Sequence, residues 1–250
     1  MFKRALFKSV VGAVALGSAL AVAQFAAPAT NVASRSIVDA ASQCTNYSSD
    51  TYTVLDLVLS HMGGHFGDSN TATATVKTTD GRRVSNGSVR FSISGHPEYT
   101  TTVGVGSTGQ ASFAIPRRLP ARATYSVDAI YLPSCANFRK SSDSPKGYTV
   151  YKAGTTVGRV GAADIRRGGH PVVNVHVTSG TGIAVYGKVK VNLVYNSVVR
   201  KSRTVSLSAG DARVAFSRTY KRGDWRAKVT YLGTNNFKGD TNSTTFRITR

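Results

Sequence analysis

The sequence predicts an all-β chain folded as two tandem antiparallel sandwiches behind an export segment. Three observations carry this expectation. The stretch from Trp225 to Asp240 has a twin one hundred residues earlier, from Tyr125 to Asp143. Trp225 falls on Tyr125, Tyr231 on Tyr131 and Leu232 on Leu132, and Asn236-Phe237-Lys238 follows Asn137-Phe138-Arg139 after a one-residue slip. Apolar residues beyond the first 23 alternate with period two between turn residues, and no window there carries a helical apolar stripe. The N-terminus has the basic, apolar, small-residue order of a secretory signal.

That export segment is residues 1–23. Lys3, Arg4 and Lys8 form its basic start, Ser9 to Val22 is an uncharged run, and Ala21-Val22-Ala23 offers a cleavage site before Gln24. The uncharged core is short for a spanning helix, so the mature chain is expected to hold no membrane span. No wall-sorting tail is legible, and the expected location is secreted, extracellular or wall-associated. Residues 24–50 are rich in Ala, Ser, Thr and Asn and read as a spacer. The remaining residues suit two domains of about 100 residues, at 51–152 and 153–250. Cys44 and Cys135 are the two cysteines, and in an oxidising compartment they are expected to pair. Such a bridge would pin the N-terminal segment to the first domain and contribute about 4–5 kcal/mol in the chain-entropy account.

Within the first domain the strand-like runs are YTVLDLVL, ATATVKT, SVRFSIS, TTTVGV, ASFAI, YSVDAIYL and GYTVYK. In the second, VVNVHV matches ATATV, KVKVNLVY matches SVRFSIS across Gly87 and Gly187, and TVSLS, RVAF, the Trp225 strand and TTFRIT complete the layout. About seven short alternating strands per hundred residues is the pattern of an immunoglobulin-like sandwich. Paired strands, a Gly turn before an alternating strand, and W-x-A-x-V-x-Y-L-G followed by N-F resemble the bacterial Ig-like repeat domains of secreted and surface proteins of high-GC Gram-positive bacteria. The resemblance covers nearly all of Ala153 to Arg250 and, more loosely, Asp50 to Lys152, where Pro133 and Cys135 depart from the Gly-rich loop pattern. It implies a sandwich in a surface or adhesive setting and transfers no catalytic residue.

Candidates for chemistry are sparse. Gly104-Val105-Gly106-Ser107-Thr108-Gly109 matches G-x-G-x-x-G, but the strand Ala111 to Ile115 follows where a dinucleotide site needs a helix, so a hairpin turn is expected. His61 and His65 have metal-ligand spacing, yet Gly63 and Gly64 between them argue for a solvated loop near Asp68. His96, His170 and His176 stand singly. Glu98 is the one glutamate, and the eleven aspartates mostly sit beside turns, leaving no evident pair of convergent carboxyls. No cofactor, metal or catalytic residue is expected, and the protein is not expected to be an enzyme.

Charge rises above this background. Without residues 1–23 the chain holds 29 Lys and Arg against 12 Asp and Glu, a net of +17. Thr51 to Tyr151 has a net of +4, whereas Lys152 to Arg250 has a net of +14. Alternation points Lys188, Lys190, Arg226, Lys228 and Arg247 outward, onto one face if their strands are sheet neighbours. Arg200, Lys201 and Arg203, in the next connection, are expected to extend it. The first-domain equivalents are Ser88, Arg90, Ser126, Asp128 and Thr149. Two functions therefore stand open. One is a non-catalytic secreted or cell-envelope module serving as an adhesive or structural spacer. The other is an electrostatic binder of anionic polymers such as teichoic acid, acidic polysaccharide or extracellular nucleic acid. Sequence-specific nucleic-acid reading is not expected, because the outward face lacks interleaved aromatics. The sequence does not speak to the oligomeric state.

Overall fold

Alternation with period two dictates strands, and the computed structural model, which describes residues 50–250, consists of strands and turns. The signal-peptide reading, Cys44 and the spacer up to Ser49 fall outside the described residues. The N-terminal half contains β1 (Thr53–Leu59), β2 (Gly63–His65), β3 (Asn70–Thr78), β4 (Ser88–Ile93) and β5 (His96–Gly104). It continues through β6 (Gln110–Ile115), β7 (Arg122–Leu132), β8 (Ser141–Ser142) and β9 (Lys146–Tyr151). The C-terminal half contains β10 (Thr155–Ala162), β11 (Ile165–Arg166), β12 (Val172–Ser179) and β13 (Gly187–Tyr195). Then follow β14 (Val198–Leu207), β15 (Asp211–Ala215), β16 (Gly223–Tyr231) and β17 (Asp240–Thr249).

Each half pairs its strands in the same order. One sheet of the first half runs β1-β3-β6, and the other runs β2-β9-β7-β4-β5 with β8 beside β7. The second half has β10-β12-β15 and β11-β17-β16-β13-β14. The pairings are antiparallel except at β2 with β9 and β11 with β17, where a short strand adds in parallel to the sheet edge. This is an all-β, immunoglobulin-like and fibronectin-III-like sandwich order, in which the strand after the central one joins the larger sheet. The turn at Gly106 to Gly109 forms as expected, with the Gly109 N–H donating to the Gly106 carbonyl at 2.9 Å. It is not a hairpin, however, because β5 and β6 belong to different sheets and the chain crosses the sandwich there.

The core comes from the inward half of each alternating strand. Trp225, Ala227, Val229 and Tyr231 are buried, as are Tyr125, Val127, Ala129 and Tyr131 at the matching places. Buried polar tips need partners, and both halves supply a backbone carbonyl. The Tyr131 hydroxyl lies 2.9 Å from Asn86 Oδ1 and 3.2 Å from the Asn86 carbonyl, whereas the Tyr231 hydroxyl donates to the Tyr186 carbonyl at 2.8 Å, so the backbone acceptor is repeated and the Asn86 side-chain one is not. Gly87 and Gly187 follow those acceptors with φ of 77° and 129°, a region that L side chains resist. A Cβ at Gly87 would also lie 2.6 Å from the Leu132 carbonyl oxygen. Two carboxylates repeat as well: Asp143 accepts from the Leu57 N–H at 2.9 Å, and Asp240 accepts from the Val157 N–H at 2.7 Å. Each ties the loop after the Tyr-Leu strand to the first strand of its half.

Every strand pairing described stays on its own side of Lys152. Only Lys152 to Gly154 separate β9 from β10, and Ala153 among them is fully buried. Side chains clasp the junction further. The Thr181 hydroxyl donates to the Phe66 carbonyl at 2.9 Å, and Arg117 donates to the carbonyls of Gly67 and Thr181 at 2.7 and 3.0 Å. The Ala121 N–H donates to Asn236 Oδ1 at 3.0 Å, and the Phe66 and Phe237 rings meet edge to face at 5.3 Å. Both halves lie within one compact unit. Cys135 is buried in the loop that Phe138 anchors; its expected partner Cys44 lies outside the described residues, so the pairing stays an expectation.

Candidate functional site

The outward positions of β13 and β16 are where the second half departs most from the first. β13 lies between β14 and β16, and β16 lies between β13 and β17. The register sets Lys190 opposite Thr230, Asn192 opposite Lys228 and Val194 opposite Arg226. Lys188, Lys190, Arg226 and Lys228 are all exposed on this one face, while Val189, Val191, Ala227 and Val229 turn inward. Because same-face residues recur every second position, the four cations fall on four consecutive rows. Lys188 and Lys190 sit on β13, and Lys228 and Arg226 continue the line one strand over. With a rise of about 3.3 Å per residue the rows are ~6.7 Å apart, so the line runs about 20 Å.

The flanks of the line are hydroxyl-bearing. Ser206, Thr204 and Ser202 face Lys188, Lys190 and Asn192 across β14, and Ser243 and Thr245 face Lys228 and Arg226 across β17. No carboxylate occupies the four rows. At one end the line enters a shallow depression of about 450 Å³, walled by Val194, Val199, Asp224, Trp225, Arg226, Lys228 and Thr245. The face in the first half is different: Arg90 stands diagonal to Asp128, with Ser88 and Ser126 completing the matching positions. One cation and one anion there replace four cations.

Arg247 lies on this face but is already engaged. Its guanidinium bonds the Asp224 carboxylate at 2.8 Å, which raises the Arg247 pKa and cancels its charge at the end of the line. Arg200, Lys201 and Arg203 lie in β14 rather than in a connection. Lys201 is directly opposite Leu193 and Arg203 opposite Val191, so both side chains leave on the inward side of this edge strand. There they bridge to the other sheet: Lys201 Nζ donates to the Ser217 and Arg218 carbonyls at 2.6 and 2.7 Å, and Arg203 donates to the Ala215 carbonyl. Desolvation lowers the Lys201 pKa. These two close the open side of the sandwich and do not extend the outward face. Arg200 is exposed at the bulge where the β13–β14 register shifts.

Other candidate groups are local pairs. His61 lies before β2 and contacts Asn70 Oδ1 at 3.0 Å, and His65 lies within β2, 3.5 Å from Asp68. The expected solvated loop thus contains a short strand. His176 contacts Asp211 at 2.7 Å beside Arg159 and Asn174, on the outer side of β12 and β15. Among the described residues no three His, Cys, Asp or Glu side chains group as a metal site.

No family model matches the chain. No curated protein matches it. Solved structures do resemble it. The tetra-tandem repeat in the extending region of a large adhesion protein superposes with a TM-score of 0.41 at 13% identity, covering 80% of this chain and 49% of that one. The chain thus spans about half the length of that repeat structure. The Yersinia pseudotuberculosis adhesin InvE gives 0.35 at 13% identity, covering 77% and 58%. The fibronectin(III)-like modules of Clostridium thermocellum CbhA give 0.29 at 12% identity, covering 78% and 94%. The strand order described above, not these loose superpositions, defines the fold.

Proposed function

We propose that the chain is a non-catalytic structural module of the cell surface or extracellular space, made of two Ig-like domains at 51–152 and 153–250 and used as an adhesive or spacer element. The observation that carries this reading is the clasped junction. A flexible tether between two sandwiches would leave their relative position free. Here three residues connect them, and Arg117, Thr181, Asn236 and the Phe66–Phe237 pair span the join. Repeats fixed end to end in this way hold a distance, which is what a spacer does. The duplicated internal bonds at Tyr131 and Tyr231 and at Asp143 and Asp240 support a fold selected for sturdiness in both copies. The basic amino-terminal segment supports export.

Fractionating a producing culture into medium, wall, membrane and cytoplasm tests the reading. The mature chain is expected in the medium or wall fraction, beginning near Gln24. Recovery in the cytoplasm, or turnover of a polymer substrate abolished by one point substitution, would overturn it.

A further inference from the structure

The basic face adds a binding function to the spacer reading and does not depend on it. We propose that Lys188, Lys190, Lys228 and Arg226 form a linear track for a single-stranded phosphodiester polymer whose repeat units are polyols. The argument rests on spacing, composition and what the face lacks.

One cation per row, with rows ~6.7 Å apart and one sideways step of about 4.8 Å from β13 to β16, makes a regular series of positive charges. A chain with one phosphodiester per short repeat can meet every member of such a series. A uronic-acid polysaccharide carrying one carboxylate per disaccharide is spaced more widely and would skip positions. Three of the four cations are lysines, whose compact ammonium suits a tetrahedral phosphate approached from any direction, whereas Arg forks favour planar carboxylates as well as phosphates. The Ser and Thr rows on both sides present hydroxyls that bond to polyol oxygens without reading a sequence. No aromatic side chain lies among the four rows, so bases would find no stacking platform there. The Asp224–Arg247 pair ends the charged series on one side, which limits the footprint to about four phosphates.

The four positions match Ser88, Arg90, Asp128 and Ser126 of the first half at a constant offset of one hundred residues. Ser88, Arg90, Ser126 and Asp128 sit on β4 and β7, the counterparts of β13 and β16 in the first half's larger sheet. Four of the ten net charges by which the second half exceeds the first fall on these four matched positions, which form one line.

The test uses the whole chain and three probes: synthetic polyglycerol phosphate, hyaluronan as a polysaccharide with one carboxylate per disaccharide, and oligo(dT). Binding to polyglycerol phosphate is expected to be tightest, with a slope of log K against log salt of about −3 for four neutralised phosphates. Lys190→Thr with Lys228→Thr should weaken it at least tenfold and bring the slope to about −1.4. Threonine suits outward strand positions, and an unchanged Trp225 emission spectrum and melting temperature would confirm the fold. The control pair Arg118→Thr with Lys140→Thr removes the same charge from the other half and should change affinity less than threefold. Equal losses from both pairs, or tighter binding of hyaluronan or oligo(dT), would overturn the proposal. So would absence of binding to polyglycerol phosphate at low salt.

Discussion

Trp225 and Tyr125 do the same work with different tips. Both are buried, and each donates back to a carbonyl just upstream, Trp225 to Lys221 at 3.1 Å and Tyr125 to Pro120 at 2.6 Å. This is the corner contact seen where a strand enters an immunoglobulin-like sheet. Trp225→Ala removes a large ring from a closed core and should cost about 3–5 kcal/mol, measured by denaturant unfolding. Tyr131→Phe and Tyr231→Phe remove only a hydroxyl and should each cost about 1 kcal/mol. A larger loss at Tyr131 would be carried by Asn86 Oδ1, which has no counterpart at Tyr186. At Asp143 the bond from the Leu57 N–H, helped by Lys146, holds the carboxyl below its ordinary value of 3.8. A lowered folded-state pKa contributes stability that is present above the unfolded value and lost as pH falls through the folded one. Asp143→Asn should therefore flatten the loss of stability below about pH 4, read as a shallower fall of melting temperature on acidification.

At the scale of elements, the period-two runs were readable because burial alternates along the strands that make the core. KVKVNLVY and the Trp225 strand alternate cleanly, so their sheet faces followed from the letters alone. β2 and β11 were not readable, since two or three residues cannot establish a period. β14 was misread for another reason. Arg200, Lys201 and Arg203 were read as a connection extending the basic face, whereas Lys201 and Arg203 occupy inward positions, because an edge strand lets long basic side chains pass over the rim to carbonyls of the facing sheet. The candidate face was thus half legible: the alternation gave Lys188, Lys190, Arg226 and Lys228, but only the register could set them in one line and remove Lys201 and Arg203. Replacing Lys201 by Met keeps the stem and removes the donors. It should lower the stability of the second half by about 0.5–1.5 kcal/mol, because the exposed Ser217 and Arg218 carbonyls exchange the lysine for water.

At the scale of the whole molecule, the proposed spacer role depends on the bonds that cross the junction. Thr181→Ala and Arg117→Ala each remove a bond that crosses it and none inside a strand ladder. The double variant should leave both sandwiches folded, yet broaden the distribution of distances between spin labels placed one in each half. A net charge of +14 from Lys152 onward, against +4 from Thr51 to Tyr151, also makes the two halves electrostatically distinct. Polyanion binding should therefore fall steeply with salt while the junction persists.

Pulling one molecule from its two ends tests the tandem, clasped architecture most directly. Under reducing conditions the account predicts two unfolding events of similar length. Each should release about 100 residues, roughly 330–360 Å of extended chain before the folded length is subtracted. Without reductant, a Cys44–Cys135 bridge would lock about 90 residues and shorten one event while leaving the other unchanged. A single event releasing the whole described chain, or extension at low force with no discrete steps, would contradict it.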